Sequence, residues 1–117
     1  MSSGYGLTVR WSLREAGEVE QALRDYVVGT SMARFAVEEG LSFKTWGMRP
    51  GEWFEGHYAW ANKHDRDGFT KRFAEQAPKA AVTKIVGSAP SAIEPFEVVA
   101  VTEGVAGFSR GAGPGEG

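Results

Sequence analysis

The sequence predicts a small α+β domain made of an antiparallel sheet and two helices. Segments in which apolar and polar residues alternate with period two indicate strands, and segments with apolar residues spaced by three and four indicate helices. A Pro-Gly pair between two aromatic-rich segments indicates a tight turn that joins neighbouring strands. The length of 117 residues is that of one domain, large enough to bury a core without disulfide bonds.

The first strand is predicted over residues 7–13, where apolar and polar side chains alternate. The first helix is predicted from Glu18 onward, because the apolar residues that follow share one helical face: Val19, Ala22, Leu23, Tyr26 and Val27. Residues 29–31, Gly-Thr-Ser, predict a break or kink, since glycine is costly inside a helix. Helical spacing then resumes at Met32 and continues through Ala36.

A hairpin is predicted next. Residues 40–46 and 53–60 are rich in aromatic and β-branched residues, and residues 49–52, Arg-Pro-Gly-Glu, supply the turn between them. Asn62 is predicted to cap a second helix, which Pro78 bounds. Acidic residues shortly after Asn62 suit the positive end of that helix.

Two further short strands are predicted over residues 82–86 and 96–102, which gives the order β-α-β-β-α-β-β. The first six elements match the ferredoxin-like, split βαβ arrangement, with both helices on one face of the sheet. We therefore predict one domain over residues 1–103. The Gly-rich segment 104–117 is predicted to be a disordered tail, because it has little apolar surface to bury.

The uncovered face of such a sheet would expose large rings, which monomers rarely tolerate. A second copy of the same sheet is the simplest cover, so we expect a homodimer with a twofold interface formed by the sheet face.

Composition excludes several classes of function. The formal net charge is −2 with scattered Lys and Arg, so we expect no nucleic-acid partner. The start lacks a secretory signal and no apolar run is long enough for a membrane span, which predicts a cytoplasmic protein without membrane association. The absence of cysteine excludes disulfides, thiolate nucleophiles and sulfur-ligated metals.

Aromatic residues are abundant: four Trp, seven Phe and three Tyr in 117 residues. They indicate either a bulky core or a cavity lined with rings, and the sequence leaves both open.

The runs Gly40-Leu-Ser-Phe-Lys-Thr-Trp46 and Glu55-Gly-His-Tyr-Ala-Trp60, followed by Phe69 to Phe73 and residues 82–85, carry a family resemblance. Over roughly residues 5–102, the chain resembles the YdhR-type monooxygenases of the dimeric α+β-barrel superfamily. The Lys-x-Trp ending of the second strand and the Gly-x-Tyr-x-aromatic run of the third are the motifs that carry it.

The resemblance implies a function. The superfamily includes the antibiotic-biosynthesis monooxygenases of aromatic polyketide pathways, which bind substrate between sheet and helices and use oxygen without flavin, haem or metal. A phenol or enol would lose a proton, and its anion would reduce dioxygen directly while the protein orients it and stabilises its charge. The expected partners are an aromatic small molecule and O2, with no cofactor.

The resemblance assigns Tyr58, Trp60 and Asn62 to the site, with Trp60 holding a flat substrate. His57 departs from the family pattern. It is a candidate general base by its ordinary pKa, or else a hydrogen-bonded structural histidine. Arg10, on the strand face opposite Val9 and Trp11, is a candidate partner for an enolate or carboxylate, or a structural residue.

Trp11, Trp46 and Phe69 complete the predicted substrate-binding set. Lys44 and Trp46 share a strand face, so we expect the lysine stem to lie against the ring as structural support. His64 and Arg49 are interpreted as exposed surface charges.

The sequence lacks the motifs for metal binding, phosphate binding and serine hydrolysis. The two histidines do not have metal-ligand spacing, so no metal site is predicted. No Gly-rich loop joins a strand to a helix as a phosphate loop would, and no serine lies in a nucleophile elbow.

Three functions remain. The first is the cofactor-independent monooxygenase. The second is an isomerase, cyclase or dehydratase that uses the same pocket, because a fold does not dictate one reaction. The third is a non-catalytic protein that binds a small ligand, which we expect if neither histidine nor Arg10 reaches the cavity.

Overall fold

The structure, a computed structural model, describes residues 4–108. The elements in chain order are β1 Tyr5–Ser12, α1 Glu20–Tyr26, a π-helical segment Val27–Ser31, α2 Met32–Ala36, β2 Leu41–Arg49, β3 Trp53–Trp60, α3 Lys63–Gln76, a 3-10 turn Ala77–Lys79, α4 Ala81–Val86 and β4 Ala92–Glu97.

The four strands form one sheet in the order β2-β3-β1-β4, and all neighbours are antiparallel. This order and the helices packed against one face confirm the predicted ferredoxin-like α+β fold. Within the described residues, no helix has the length and apolar character needed to cross a bilayer.

Strand β1 shows the alternation that the sequence predicts. Leu7, Val9 and Trp11 are buried under the helices, whereas Arg10 points to the opposite face and is exposed. Trp11 also ties β1 to α4, because its indole N–H donates a hydrogen bond to Thr83 Oγ1 at 3.1 Å. The helix-covered face of the sheet therefore carries the main core.

The hairpin turn lies where the Pro-Gly pair predicts it. The backbone N–H of Glu52 donates to the carbonyl of Arg49 at 2.9 Å, closing the turn. Gly51 adopts a φ of 77°, a left-handed conformation that glycine accepts without strain. This turn sets the β2–β3 register, in which Lys44 faces Tyr58 and Trp46 faces Gly56.

The break or kink predicted at residues 29–31 of the first helix is a π-helical segment in the structure. Residues Val27–Ser31, which contain Gly29, form a π-helical segment between α1 and α2. The chain remains helical through this segment, and one wide turn replaces a break. Such insertions reset the face that the following helix presents. Here α2 presents Phe35 toward the sheet, where its ring contacts Tyr58 and Phe69.

Helix α3 begins at the cap that the sequence predicts. Asn62 Oδ1 accepts a hydrogen bond from the backbone N–H of Asp65 at 2.8 Å, which satisfies one orphan donor of the first turn. Buried Arg66 then donates to the carbonyl oxygens of Gly6 at 3.0 Å and Phe96 at 3.1 Å. One side chain thereby fastens α3 to both β1 and β4.

The predicted strand over residues 82–86 is wrong, because Ala81–Val86 is helix α4. Its β-branched composition favours a strand, but Val82, Thr83 and Val86 are buried together at helical spacing. Gly87 ends the helix with a φ of 91°. Tertiary packing overrides local propensity here.

The last strand is also displaced from its prediction. Strand β4 covers Ala92–Glu97, and only Phe96 and Glu97 overlap the predicted strand 96–102. Pro95 lies within β4, which is tolerated because β4 is an edge strand paired with β1 alone. Residues 98–102 form no regular element. Most of the predicted disordered tail, residues 109–117, lies outside the described residues, so that prediction and the domain boundary remain untested.

Candidate functional site

A cavity of about 400 Å3 lies between the helix-covered face of the sheet and the helices. This volume is in the range of small-molecule sites. Eight of the seventeen residues that line it are aromatic, and they come from both the sheet and the helices: Trp11, Tyr26, Phe35, Trp46, Phe54, Tyr58, Phe69 and Phe73. The arrangement suits a flat apolar ligand.

The side chain of Lys44, which ends in an amine, lines this cavity among the aromatic rings. Its Nζ donates a hydrogen bond to Tyr58 Oη at 3.0 Å, across the β2–β3 pair. Nζ also lies 3.5 Å from the ring centroid of Phe35 and 4.6 Å from that of Trp46. Among the described residues, no carboxylate forms an ion pair with Lys44.

The surroundings of Lys44 disfavour its charge. Burial, and secondly the nearby positive charge of Arg34, lower the pKa of Lys44 from 10.5 to about 6, while the charge of Glu38 opposes the shift. The π faces of the rings also attract an ammonium group and oppose the shift. The balance leaves a neutral amine at pH 7, able to accept a proton.

Tyr58 is held in its neutral form. Burial raises the pKa of its hydroxyl well above the usual value of 10, with Arg34 acting in the opposite direction. Because the Tyr58 oxygen accepts from Lys44, its own O–H remains available as a donor. The pair therefore combines a neutral amine with a neutral hydroxyl at one wall of the cavity.

Gly56 makes room for the lysine. A Cβ at this position would lie 3.1 Å from Lys44 Cε and 3.3 Å from Tyr58 Cε1, closer than side chains normally approach. The glycine of the Gly-x-Tyr run thus shapes the space that the Lys44 amine occupies.

Two arginines stand at the mouth of the cavity. Arg34 of α2 and Arg72 of α3 line it and have exposed side chains. Glu38 joins them: its carboxylate lies 2.5 Å from Arg34 Nη1 and 3.6 Å from Arg72 Nη2. This cluster places positive charge at the entrance and connects the two helices that cover the cavity.

Four of the predicted site residues line the cavity, namely Tyr58, Trp46, Trp11 and Phe69. They come from three strands and one helix, and the fold brings their rings around a common space. Lys44 contacts the Trp46 ring, but the contact is made by Nζ, 4.6 Å from the ring centroid, whereas the prediction was for the lysine stem.

His57 and Arg10 lie on the other face of the sheet. Both contact Glu55: His57 Nε2 lies 2.6 Å from Glu55 Oε1, and Arg10 forms a hydrogen-bonded ion pair with Glu55 Oε2. The Glu55 side chain is only 5% exposed, whereas those of Arg10 and His57 are 46% and 44% exposed. Neither residue lines the cavity, so a catalytic role there would require a route through the sheet.

Trp60 and Asn62 do not line the cavity either. Trp60 is fully buried and stacks on Tyr58, with ring centroids 6.1 Å apart. Within residues 4–108, its Nε1 is a buried polar side-chain atom without a hydrogen-bond partner. Asn62 is exposed and occupied in capping α3. Their roles as site residues stay predictions.

Sequence reasoning missed the chemistry of Lys44 and the two mouth arginines. The alternation of β2 places Lys44 on the face of Trp46, and that face is the one the helices cover. A lysine on an inward strand face is the signal that was available for it. No comparable signal marks Arg34 or Arg72, because each is one of several charges on an exposed helix surface.

No group of three or more His, Asp or Glu side chains is placed to hold a metal ion in the part of the chain that the structure describes.

The fold and the cavity define a small α+β protein with a ligand-sized space between sheet and helices. No protein-family model and no curated protein matches the sequence.

Solved structures share the fold. NE2512 from Nitrosomonas europaea, a protein of unknown function, gives a TM-score of 0.65 at 22% identity, covering 87% of this chain and 95% of that one. A monooxygenase from the gene ActVA-Orf6 of Streptomyces coelicolor, in complex with the ligand nanaomycin D, gives 0.61 at 13% identity, covering 86% and 91%. At these identities the likeness establishes the fold alone.

Proposed function

We propose that the protein is a cofactor-independent monooxygenase of the dimeric α+β-barrel superfamily, acting on an aromatic or polyketide-like small molecule. The observation that carries the proposal is the Lys44–Tyr58 pair, 3.0 Å apart, at the wall of a ring-lined cavity. The shared fold with a monooxygenase that binds nanaomycin D supports the substrate class.

The chemistry begins with proton transfer. A phenol or enol lies between the rings of the cavity, and neutral Lys44 accepts its acidic proton. The resulting ammonium group stabilises the adjacent anion, and the Tyr58 hydroxyl donates a hydrogen bond to it. The electron-rich anion then reduces dioxygen. One oxygen atom is bonded to the oxidised ring carbon, and the other leaves as water with one hydrogen from that carbon and the proton held by Lys44, so a phenol and O2 give a quinone and water.

Lys44 takes the general-base role for which the sequence offered His57. In this proposal Trp46, Trp11 and Phe69 bind the substrate and Tyr58 is catalytic, as the sequence predicts. Arg34 and Arg72 attract an anionic substituent at the entrance, which a polyketide carboxylate or phenolate would supply.

Oxygen consumption tests this function. The full chain is mixed with 1-naphthol and with dihydroxynaphthalenes in an oxygen-electrode cell, with heat-unfolded protein as the control for spontaneous oxidation. We expect uptake that depends on folded protein, is lost in Lys44→Met and is retained in Lys63→Met, which removes an exposed lysine. No protein-dependent uptake with any phenol that binds would contradict the proposal.

A second candidate is a non-catalytic protein that binds a small aromatic ligand. The position of His57 and Arg10 favours it, since neither lines the cavity. Binding to the cavity without oxygen uptake and without any change in the ligand would support this function. Conversion of the ligand without oxygen uptake would instead support an isomerase, cyclase or dehydratase.

We also propose a homodimer through the helix-free face of the sheet. That face carries Phe43 and Phe96, which are 46% and 44% exposed, on its two edge strands. Between them lies the ion-paired cluster of Arg10, Glu55 and His57. Apolar residues beyond β4, Val101 and Phe108, are also exposed. A second copy would bury these rings.

A further inference from the structure

We propose that Lys44 is a site of reversible covalent capture: its ε-amino group condenses with aromatic aldehydes and ketones that enter the cavity, forming an imine. The inference uses the cavity and the amine of the proposed function but not the reaction with dioxygen. It assigns the chain a second class of ligand, carbonyl compounds, in addition to phenols and enols.

The geometry leaves the nitrogen free to react. Lys44 Nζ donates one hydrogen bond to Tyr58 Oη and forms no ion pair with a described carboxylate. In a neutral amine the nitrogen lone pair is then not engaged in a hydrogen bond. The amine also lines the cavity in which a carbonyl compound would lie. The lowered pKa of Lys44 supplies the neutral amine near pH 7.

The rings around Nζ position the ligand. Phe35 and Trp46, with centroids 3.5 Å and 4.6 Å from Nζ, offer apolar faces to an aromatic group next to its carbonyl carbon. An aromatic aldehyde therefore reaches the amine with its ring packed, which removes much of the entropic cost of the addition.

Tyr58 supplies the acid that the reaction needs. Its raised pKa keeps the hydroxyl protonated, and its oxygen lies 3.0 Å from the reacting nitrogen. The Nζ lone pair bonds to the carbonyl carbon, the carbonyl π electrons move to oxygen, and one proton passes from the nitrogen to that oxygen to give the carbinolamine. The carbinolamine hydroxyl then leaves as water after a second protonation, and the nitrogen loses its proton as the C=N bond forms. Amine and carbonyl give imine and water, with no change in oxidation state.

Reductive trapping tests the proposal. The full chain is incubated at pH 7 with 2-naphthaldehyde and sodium cyanoborohydride, and the adduct is counted by intact mass and located by peptide mass spectrometry. We expect Lys44 to be labelled at least about tenfold faster than the four lysines whose side chains are exposed to water, Lys63, Lys71, Lys79 and Lys84. Raising the pH from 5 to 7 should increase the Lys44 rate, with a midpoint near the pKa of about 6.

Matched variants give the test its controls. Lys44→Met should lose the fast adduct, Lys63→Met should keep it, and Tyr58→Phe should keep the site but slow its formation. Labelling of Lys44 at the rate of the exposed lysines would overturn the proposal, as would an undiminished fast adduct in Lys44→Met.

A binding measurement separates the two proposals. 2-Naphthol, which has no carbonyl group, is titrated against intrinsic Trp fluorescence. If naphthol binds but no Lys44 adduct forms, covalent capture is wrong and the proposed oxygenation remains. If naphthol does not bind and no adduct forms, both proposals fail.

Discussion

Lys44 and Tyr58 are direct partners in the β2–β3 register, and their Nζ and Oη atoms lie 3.0 Å apart inside the domain. A lysine that is surrounded by rings and unpaired with any described carboxylate costs stability when it is charged. At this position the protein therefore carries a residue that lowers its folding stability, which is typical of a functional site.

Replacing Lys44 should stabilise the protein. Lys44→Met keeps most of the length of the side chain and removes the partly buried amine, so we expect a gain of about 1–4 kcal/mol in the free energy of unfolding at pH 7. Urea unfolding measures it, with Lys63→Met as the control that should change little. A marked loss of stability in Lys44→Met would show that the amine contributes favourable interactions to the fold.

Stability should depend on pH through the same residue. The pKa of Lys44 is about 6 in the folded state and near its ordinary 10.5 when unfolded. The unfolded chain therefore binds more protons between these values, and this residue makes stability rise with pH across that window. The advantage of Lys44→Met should be greatest at or below pH 6 and shrink toward pH 10. Unfolding at pH 5.5, 7 and 9 for both proteins gives the difference, and a difference that does not vary with pH would contradict the lowered pKa.

Gly56 should be intolerant of a methyl group. In Gly56→Ala, the new Cβ meets Lys44 Cε at 3.1 Å, so the lysine must move and stability should fall by about 1–3 kcal/mol. Gly47→Ala is the matched control on the neighbouring strand, because its Cβ would meet only Trp53, at an ordinary 3.8 Å. Lys44→Ala should restore part of the lost stability in the double variant. Strict additivity of the two changes would mean that Gly56 does not make room for Lys44.

Trp60 and Trp46 should respond differently to truncation. Trp60 is fully buried and does not line the cavity. Trp60→Ala should therefore cost about 3–5 kcal/mol of stability, as other large-to-small substitutions in a core do. Trp46 is partly buried and lines the cavity, so Trp46→Ala should cost less stability and weaken binding of 2-naphthol more. Thermal melts and fluorescence titration of both variants, with Trp60→Phe as the milder change, make the comparison. Loss of naphthol binding in a well-folded Trp60→Phe would return Trp60 to the site.

The helix-free face should control the oligomeric state. We expect a dimer in sedimentation at micromolar concentration, and Phe43→Lys together with Phe96→Lys should shift it to monomer by placing charge where rings meet. Val37→Lys is the control, because Val37 is 83% exposed and follows α2 on the other side of the sheet. A stable monomer of the unchanged chain would contradict the proposed interface.

Local patterns in the sequence predicted most of the framework. The alternation in β1, the Pro-Gly turn before Trp53 and the Asn62 cap each report on neighbouring residues, and the structure has all three in place. Four of the eight aromatic residues that line the cavity were also assigned to the site, and for the three on strands, period two decides which side of the sheet each ring faces.

Tertiary structure decided the rest. Helix α4 is built from β-branched residues that would suit a strand, but burial of Val82 and Val86 against the core stabilises a helix there. Alternation predicted that Arg10 and His57 face away from Trp11 and Tyr58, yet only the packed helices show which face encloses the cavity. The same packing removes water from Lys44 and lowers its pKa, because desolvation depends on residues distant in sequence, such as Phe35 and Arg34.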